Sequence, residues 1–64
     1  MFQMIEVVGT SGSGFSEAVK DAVDQITKKG HQIFWFEVVE QRGSVKDGRL
    51  KEYQVKLKIG TSFE

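Results

Sequence analysis

The sequence predicts an α+β fold of order β-α-β-β, a three-stranded antiparallel sheet wrapped around one helix, with residues 1–64 forming a single domain. Three observations lead there. A β-rich apolar run opens the chain, an apolar stripe with a 3.6-residue period follows it, and an Asp-Gly pair separates two further β-rich runs.

The first run, Phe2-Gln3-Met4-Ile5-Glu6-Val7-Val8, is rich in large and β-branched types and suits a short strand that stops at Gly9. Its alternation is too irregular to assign faces. Gly9-Thr10-Ser11-Gly12-Ser13-Gly14 is turn chemistry. From Phe15 the apolar residues Ala18, Val19, Ala22, Val23 and Ile26 recur on one face of a helix, with Ser16, Glu17, Lys20, Asp21, Asp24 and Gln25 on the other. A Ser or Gly just before Phe15 serves as N-cap, and Glu17 favours the first turn. Lys28 and Lys29 suit the negative end of the helix dipole, and Gly30 suits the left-handed position beyond it. These signals place the helix at 14–29.

Residues 33–44 and 49–60 form the hairpin, since Asp-Gly between β-rich runs is a strong two-residue turn signal. With Asp47 and Gly48 as the central turn residues, Val45 faces Leu50, Arg42 faces Tyr53, Val38 faces Leu57, Glu37 faces Lys58 and Phe36 faces Ile59. Apolar then meets apolar, and Glu37 with Lys58 reads as a cross-strand ion pair. A bulge near Gly43 would shift part of this register by one residue. Phe34, Phe36 and Val38 point at the helix together with Tyr53, Val55, Leu57 and Ile59. Ile33, Trp35, Glu37, Val39 and Gln41 lie on the opposite face with Gln54, Lys56 and Lys58.

Composition excludes several functions. Nine acidic and nine basic residues leave no net charge, hence no electrostatic footprint for nucleic acid. No apolar run is long enough to span a membrane, and Met1-Phe2-Gln3-Met4 lacks the basic start of a signal peptide, so the cytoplasm is the expected compartment. There is no cysteine, and His31 has no second histidine nearby, which argues against a metal site. The glycine-rich loop before the helix lacks the Gly-Lys-Ser/Thr ending of a phosphate-binding loop and is read as a capping turn. Glu37 and Glu40 fall on opposite strand faces and make no catalytic pair, so no catalytic residues are expected and the chain is not read as an enzyme.

Trp35 needs an explanation. It stands among charged residues on a sheet face that a chain of 64 residues has no second layer to cover. Ordinary exposure, an anchor in a subunit interface and a stacking surface for a planar ligand are all compatible with it. Gln54, with a donor and an acceptor on the same face, suits the edge of a heterocycle.

Val8-Gly9-Thr10-Ser11 before a single helix, then Trp35-Phe36-Glu37-Val38, Arg42-Gly43 and Lys51-Glu52-Tyr53-Gln54-Val55, strongly resemble the dodecins, small flavin-binding proteins of archaea and bacteria. The resemblance covers nearly the whole chain and is closest to the bacterial type. It implies a hollow spherical homododecamer that binds flavins in pairs at subunit interfaces, each ring stacked on a tryptophan that matches Trp35. It further implies that Gln54 hydrogen-bonds the polar edge of the ring and that Arg42 lies near the flavin and favours FMN. Ser62 falls where bacterial members commonly carry a basic residue near the phosphate. A hydroxyl without charge there leaves riboflavin beside FMN as the expected ligand. The implied function is storage, buffering and photoprotection of flavin, and the alternative is a self-assembling structural module with no flavin role.

Overall fold

The computed structural model describes residues 1–62 and has the predicted order, β1 (Phe2–Ser11), α1 (Phe15–Lys28), β2 (Ile33–Lys46) and β3 (Arg49–Ser62). The sheet order is β1-β3-β2, with both outer strands antiparallel to β3. The last strand is therefore the central one. Its alternation explains why, because Val55, Leu57 and Ile59 are fully buried on one face while Lys56 and Lys58 between them point to solvent.

Helix α1 starts at Gly14, which caps it through its carbonyl, accepting from Ala18 N at 3.1 Å with no side-chain cap. Ser13 is committed elsewhere, its amide donating to Ser11 Oγ at 3.0 Å. The helix ends as expected, with Gly30 at φ 89° donating to Thr27 O. None of the described helices is long and apolar enough to cross a membrane.

Strand β1 does not stop at Gly9. It continues to Ser11 because Gly9 is where the helix touches the sheet: a Cβ there would lie 2.0 Å from Ala18 O and 2.8 Å from Ala22 Cβ. Three small residues thus let helix and strand meet backbone to backbone. The Asp21 carboxylate then reaches from the helix to accept the Thr10 amide at 2.9 Å, and Gln25 Nε2 donates to the same oxygen. That contact satisfies an amide at a sheet edge.

The hairpin turn has Asp47 at φ 54° and Gly48 at φ 74°, the paired left-handed geometry that Asp-Gly was expected to adopt. The expected register holds for Val45–Leu50, Val38–Leu57, Glu37–Lys58 and Phe36–Ile59. It is interrupted three times. The irregularity expected near Gly43 falls at Ser44/Val45, where Lys51 is the unpaired residue, and others leave Val39 and Phe34 unpaired. Between Val39 and Lys51 the strands are offset by one residue. Each such bulge exchanges the two faces of the strand beyond it.

Several sequence-based face assignments change accordingly. Gln41 faces buried Val55 and leaves the outer face, while Arg42 faces Gln54 instead of Tyr53. Ile33 turns inward opposite fully buried Thr61 and packs against the core. Phe34 swings to the side of Trp35, and the Phe2 ring contacts both.

The core consists of Ala18, Ala22 and Ile26 from the helix with Val55, Leu57 and Ile59 from β3, flanked by Ile5 and Val7 of β1. Phe36 and Val38 were expected in it. They lie on the helix-facing side yet remain 48% and 41% exposed. A helix about 10 Å across covers about two strands spaced ~4.8 Å apart, and α1 is seated over β1 and β3. Length adds to the shortfall. Fourteen helical residues span about 21 Å, against a molecule 46 Å long, so Val45 and Leu50 near the hairpin tip are uncovered. Tyr53 does turn inward, meeting Phe15 edge to face at 4.9 Å.

Candidate functional site

Away from the helix, the outer face of the sheet carries two distinct clusters. The first is aromatic. Trp35 pairs with Gly60 across β2 and β3, and a Cβ at Gly60 would meet the indole Cε2, Cζ2 and Cδ2 at 2.3, 2.4 and 2.5 Å. Three ring atoms at nearly equal distances mean that the indole lies across the glycine. Phe2 packs its ring against Trp35 at 5.0 Å and against Phe34 at 5.4 Å, edge to face in both cases. Trp35 keeps 40% exposure, with one face on the sheet and the other open.

The second cluster is polar. Arg42 Nε donates to Gln54 Oε1 at 2.5 Å, Gln54 Nε2 donates to Glu52 Oε1 at 2.8 Å, and Arg42 Nη1 lies 3.5 Å from Glu40 Oε1. Arg42, Gln54 and Glu40 border a cavity of about 150 Å³ that is also lined by Val8, Val55 and Lys56. Lys56 pairs with Glu6 of β1 at 3.5 Å. Glu37 and Lys58 face one another in register, but the close ion pairs among the described residues are Arg42–Glu40 and Lys56–Glu6, so the expected Glu37–Lys58 pair does not form.

Of the four residues singled out from sequence, Trp35 and Gln54 lie on the outer face as expected. Arg42 joins them there because of the bulge, and contacts Gln54 directly. Ser62 sits opposite Phe2, at the Trp35 end of the sheet. The chain does not gather the four into one place. Gln54 is six residues from Gly60, the partner of Trp35, along β3, a separation of about 20 Å at ~3.3 Å per residue. Gly60, Phe2, Glu40 and Glu52 were not anticipated. Glu52 was within reach, since residues two apart on a strand share a face, and the expected register already set Gly60 against Trp35.

His31 is exposed in the connection after the helix. Among the described residues no three His, Cys, Asp or Glu side chains are grouped so as to hold a metal ion.

A family model described as Dodecin matches residues 1–64. A dodecin from Thermus thermophilus is 38% identical over 64 residues, which is 100% of this chain and 93% of that protein. The solved dodecin of Streptomyces coelicolor is 39% identical with a TM-score of 0.93, over 100% of this chain and 91% of that one. A calcium dodecin of Mycobacterium tuberculosis, described as calcium-chelating with a novel calcium-binding site, is 25% identical with a TM-score of 0.89, again over 100% of this chain and 91% of that one. With the family model spanning the chain from end to end and full-length relatives near 40% identity sharing its β-α-β-β fold, this chain belongs to the dodecin family.

Proposed function

We propose that this chain binds a flavin, FMN or riboflavin, at interfaces between copies of itself in a hollow homododecamer, and so stores, buffers and photoprotects it. The observation that supports this most is the Trp35 indole, laid across Gly60 with its other face open on a sheet surface that the chain itself does not cover. An indole held flat is a stacking platform for a planar ring. Gln54 supplies the edge hydrogen bonds, with Arg42 and Ser62 completing the set assigned to the ligand.

Trp35 and Gln54 are about 20 Å apart along one chain, so a single flavin takes its stack and its edge contacts from different copies. Self-assembly has its own support in the structure. Phe36 and Val38, and toward the hairpin tip Val45 and Leu50, make up an apolar strip, interrupted by Gln41, that the helix leaves uncovered, and β1 and β2 are both edge strands. The role is binding rather than catalysis, because a stacking surface and a hydrogen-bonding edge hold a ring without transforming it. Electron transfer from the stacked indole to the photoexcited ring would return it to the ground state before it generates reactive oxygen.

Fluorescence titration with riboflavin and FMN, paired with native mass spectrometry, tests the proposal. The wild-type assembly should bind and quench both. Trp35→Ala should lower affinity about tenfold or more and leave any residual complex fluorescent. Unchanged affinity and quenching in that variant would refute the stacking role. Assembly without any flavin binding by the wild-type protein would support the structural-module alternative, which the uncovered apolar strip also fits.

A further inference from the structure

The Gln54 amide is held from both sides. Arg42 has only donors, and its Nε meets the amide oxygen; Glu52 has only acceptors, and takes an amide N–H. Turned over, the amide would set its NH2 against the guanidinium and its oxygen against a carboxylate, exchanging two charge-assisted hydrogen bonds for two repulsive contacts. One orientation is therefore selected.

Arg42 is itself engaged. Its Nε is used by Gln54, and its Nη1 faces Glu40. Lys56, the other cation lining the cavity, faces Glu6. Both cations lining the cavity thus have a carboxylate beside them, and uncharged Ser62 lies at the far end with Phe2.

We propose that Arg42 and Glu52 are positioning residues for Gln54. Clamped between a donor and an acceptor, the amide presents its one remaining lone pair and one remaining N–H in fixed order. The site then selects a flat heterocycle edge with a donor beside an acceptor, and takes phosphorylated and unphosphorylated ligands alike. This rests on the flavin-binding proposal, since the imide edge of the isoalloxazine ring has that pattern. The register irregularities build the clamp: in unbroken register Arg42 would face Tyr53 on the helix side and never meet Gln54.

The test measures dissociation constants of the intact assembly for riboflavin and FMN, with subunit number checked by native mass spectrometry. Glu52→Ala and Arg42→Ala should each weaken riboflavin binding about tenfold, the effect of one hydrogen bond to a charged group. Glu52→Gln, whose side-chain oxygen still accepts, should restore most of the loss. In a Gln54→Ala background neither alanine variant should weaken binding further, and Arg42→Ala should lower FMN and riboflavin affinity by the same factor. A selective loss of FMN in Arg42→Ala would instead assign Arg42 to the phosphate and overturn the clamp, as would losses that add in full to that of Gln54→Ala. Wild-type binding of both flavins with clamp variants indistinguishable from it would remove the clamp alone, whereas a wild-type assembly that binds neither flavin would remove flavin binding and the clamp together.

Discussion

Gly60→Ala isolates the seat of the tryptophan from the tryptophan itself. The added Cβ would lie 2.3 Å from indole Cε2, whereas carbon atoms in contact sit about 3.5–4.0 Å apart. The ring must therefore retreat by at least about 1.2 Å. The backbone cannot yield instead, because Gly60 is in the central strand and is paired with Met4 on one side and Trp35 on the other. Nor does the new residue meet backbone strain, since the positive-φ glycines are Gly30 and Gly48. The indole is partly exposed and free to lift, which places the stability loss near the low end of overpacking costs, about 1 kcal/mol. The functional effect is larger. A ring lifted from its seat and from the Phe2 edge no longer presents a fixed stacking plane, so riboflavin affinity should fall about tenfold and quenching should weaken. Near-ultraviolet circular dichroism reads the packing of the chain's one tryptophan directly, and should lose intensity while the far-ultraviolet spectrum is retained. A near-ultraviolet spectrum and riboflavin affinity both equal to wild type would refute the idea that glycine seats the ring.

Two further perturbations separate the chain's own core from its uncovered surface. Gly9→Ala drives a Cβ to 2.0 Å from Ala18 O, a backbone atom that cannot rotate away, and should cost about 3 kcal/mol or more through displacement of the helix; denaturant midpoints at fixed protein concentration check this, and an unchanged midpoint would contradict the close helix–strand contact. Phe36→Ser combined with Val38→Ser leaves the six-residue buried core untouched and should weaken assembly while preserving secondary structure, as measured by subunit number across a dilution series; the wild-type dissociation profile would show that this strip is not buried between copies.

The helix, the turn and the order of elements along the chain were legible because each rests on a short-range pattern. The stripe from Phe15 to Ile26 repeats with one period, and Asp47-Gly48 has few alternatives to the left-handed turn it forms. The bulge near Gly43 was anticipated, but the two at Phe34 and Val39 were not legible, for a physical reason. Ile33-Phe34-Trp35-Phe36 and Val38-Val39 are runs in which neighbouring positions are both apolar, so a slip of one residue leaves the hydrophobic pattern equally satisfied and nothing in the alternation reports it. The placement of Phe34, Ile33, Gln41 and Arg42 depended on those slips. The half-exposure of Phe36 and Val38 was hidden differently, because alternation tells which face a side chain takes but not how far a helix reaches across that face. At the site, Trp35 and Gln54 could be placed from alternation, whereas Arg42 came only from the family resemblance, its expected register having pointed it at the helix side.

The same irregularities divide the outer face into two ends of different chemistry. The unpaired Phe34 brings a third aromatic ring to the Trp35 and Phe2 end, and the offset between Val39 and Lys51 brings Arg42 to Gln54 at the other. Neither end is a complete site for a planar heterocycle. The first offers a face without directional hydrogen bonds, and the second offers hydrogen bonds without an aromatic surface. A ligand that uses both binds only where copies meet, and a ligand bound only by the assembled form stabilises that form by mass action. A chain whose buried apolar core is six of the described residues, and whose strand β2 reaches beyond the cover of the helix, gains most from such coupling. On the proposed function, assembly would cover the apolar residues that α1 is too narrow to reach, and by bringing the two half-sites together it would create the place for flavin.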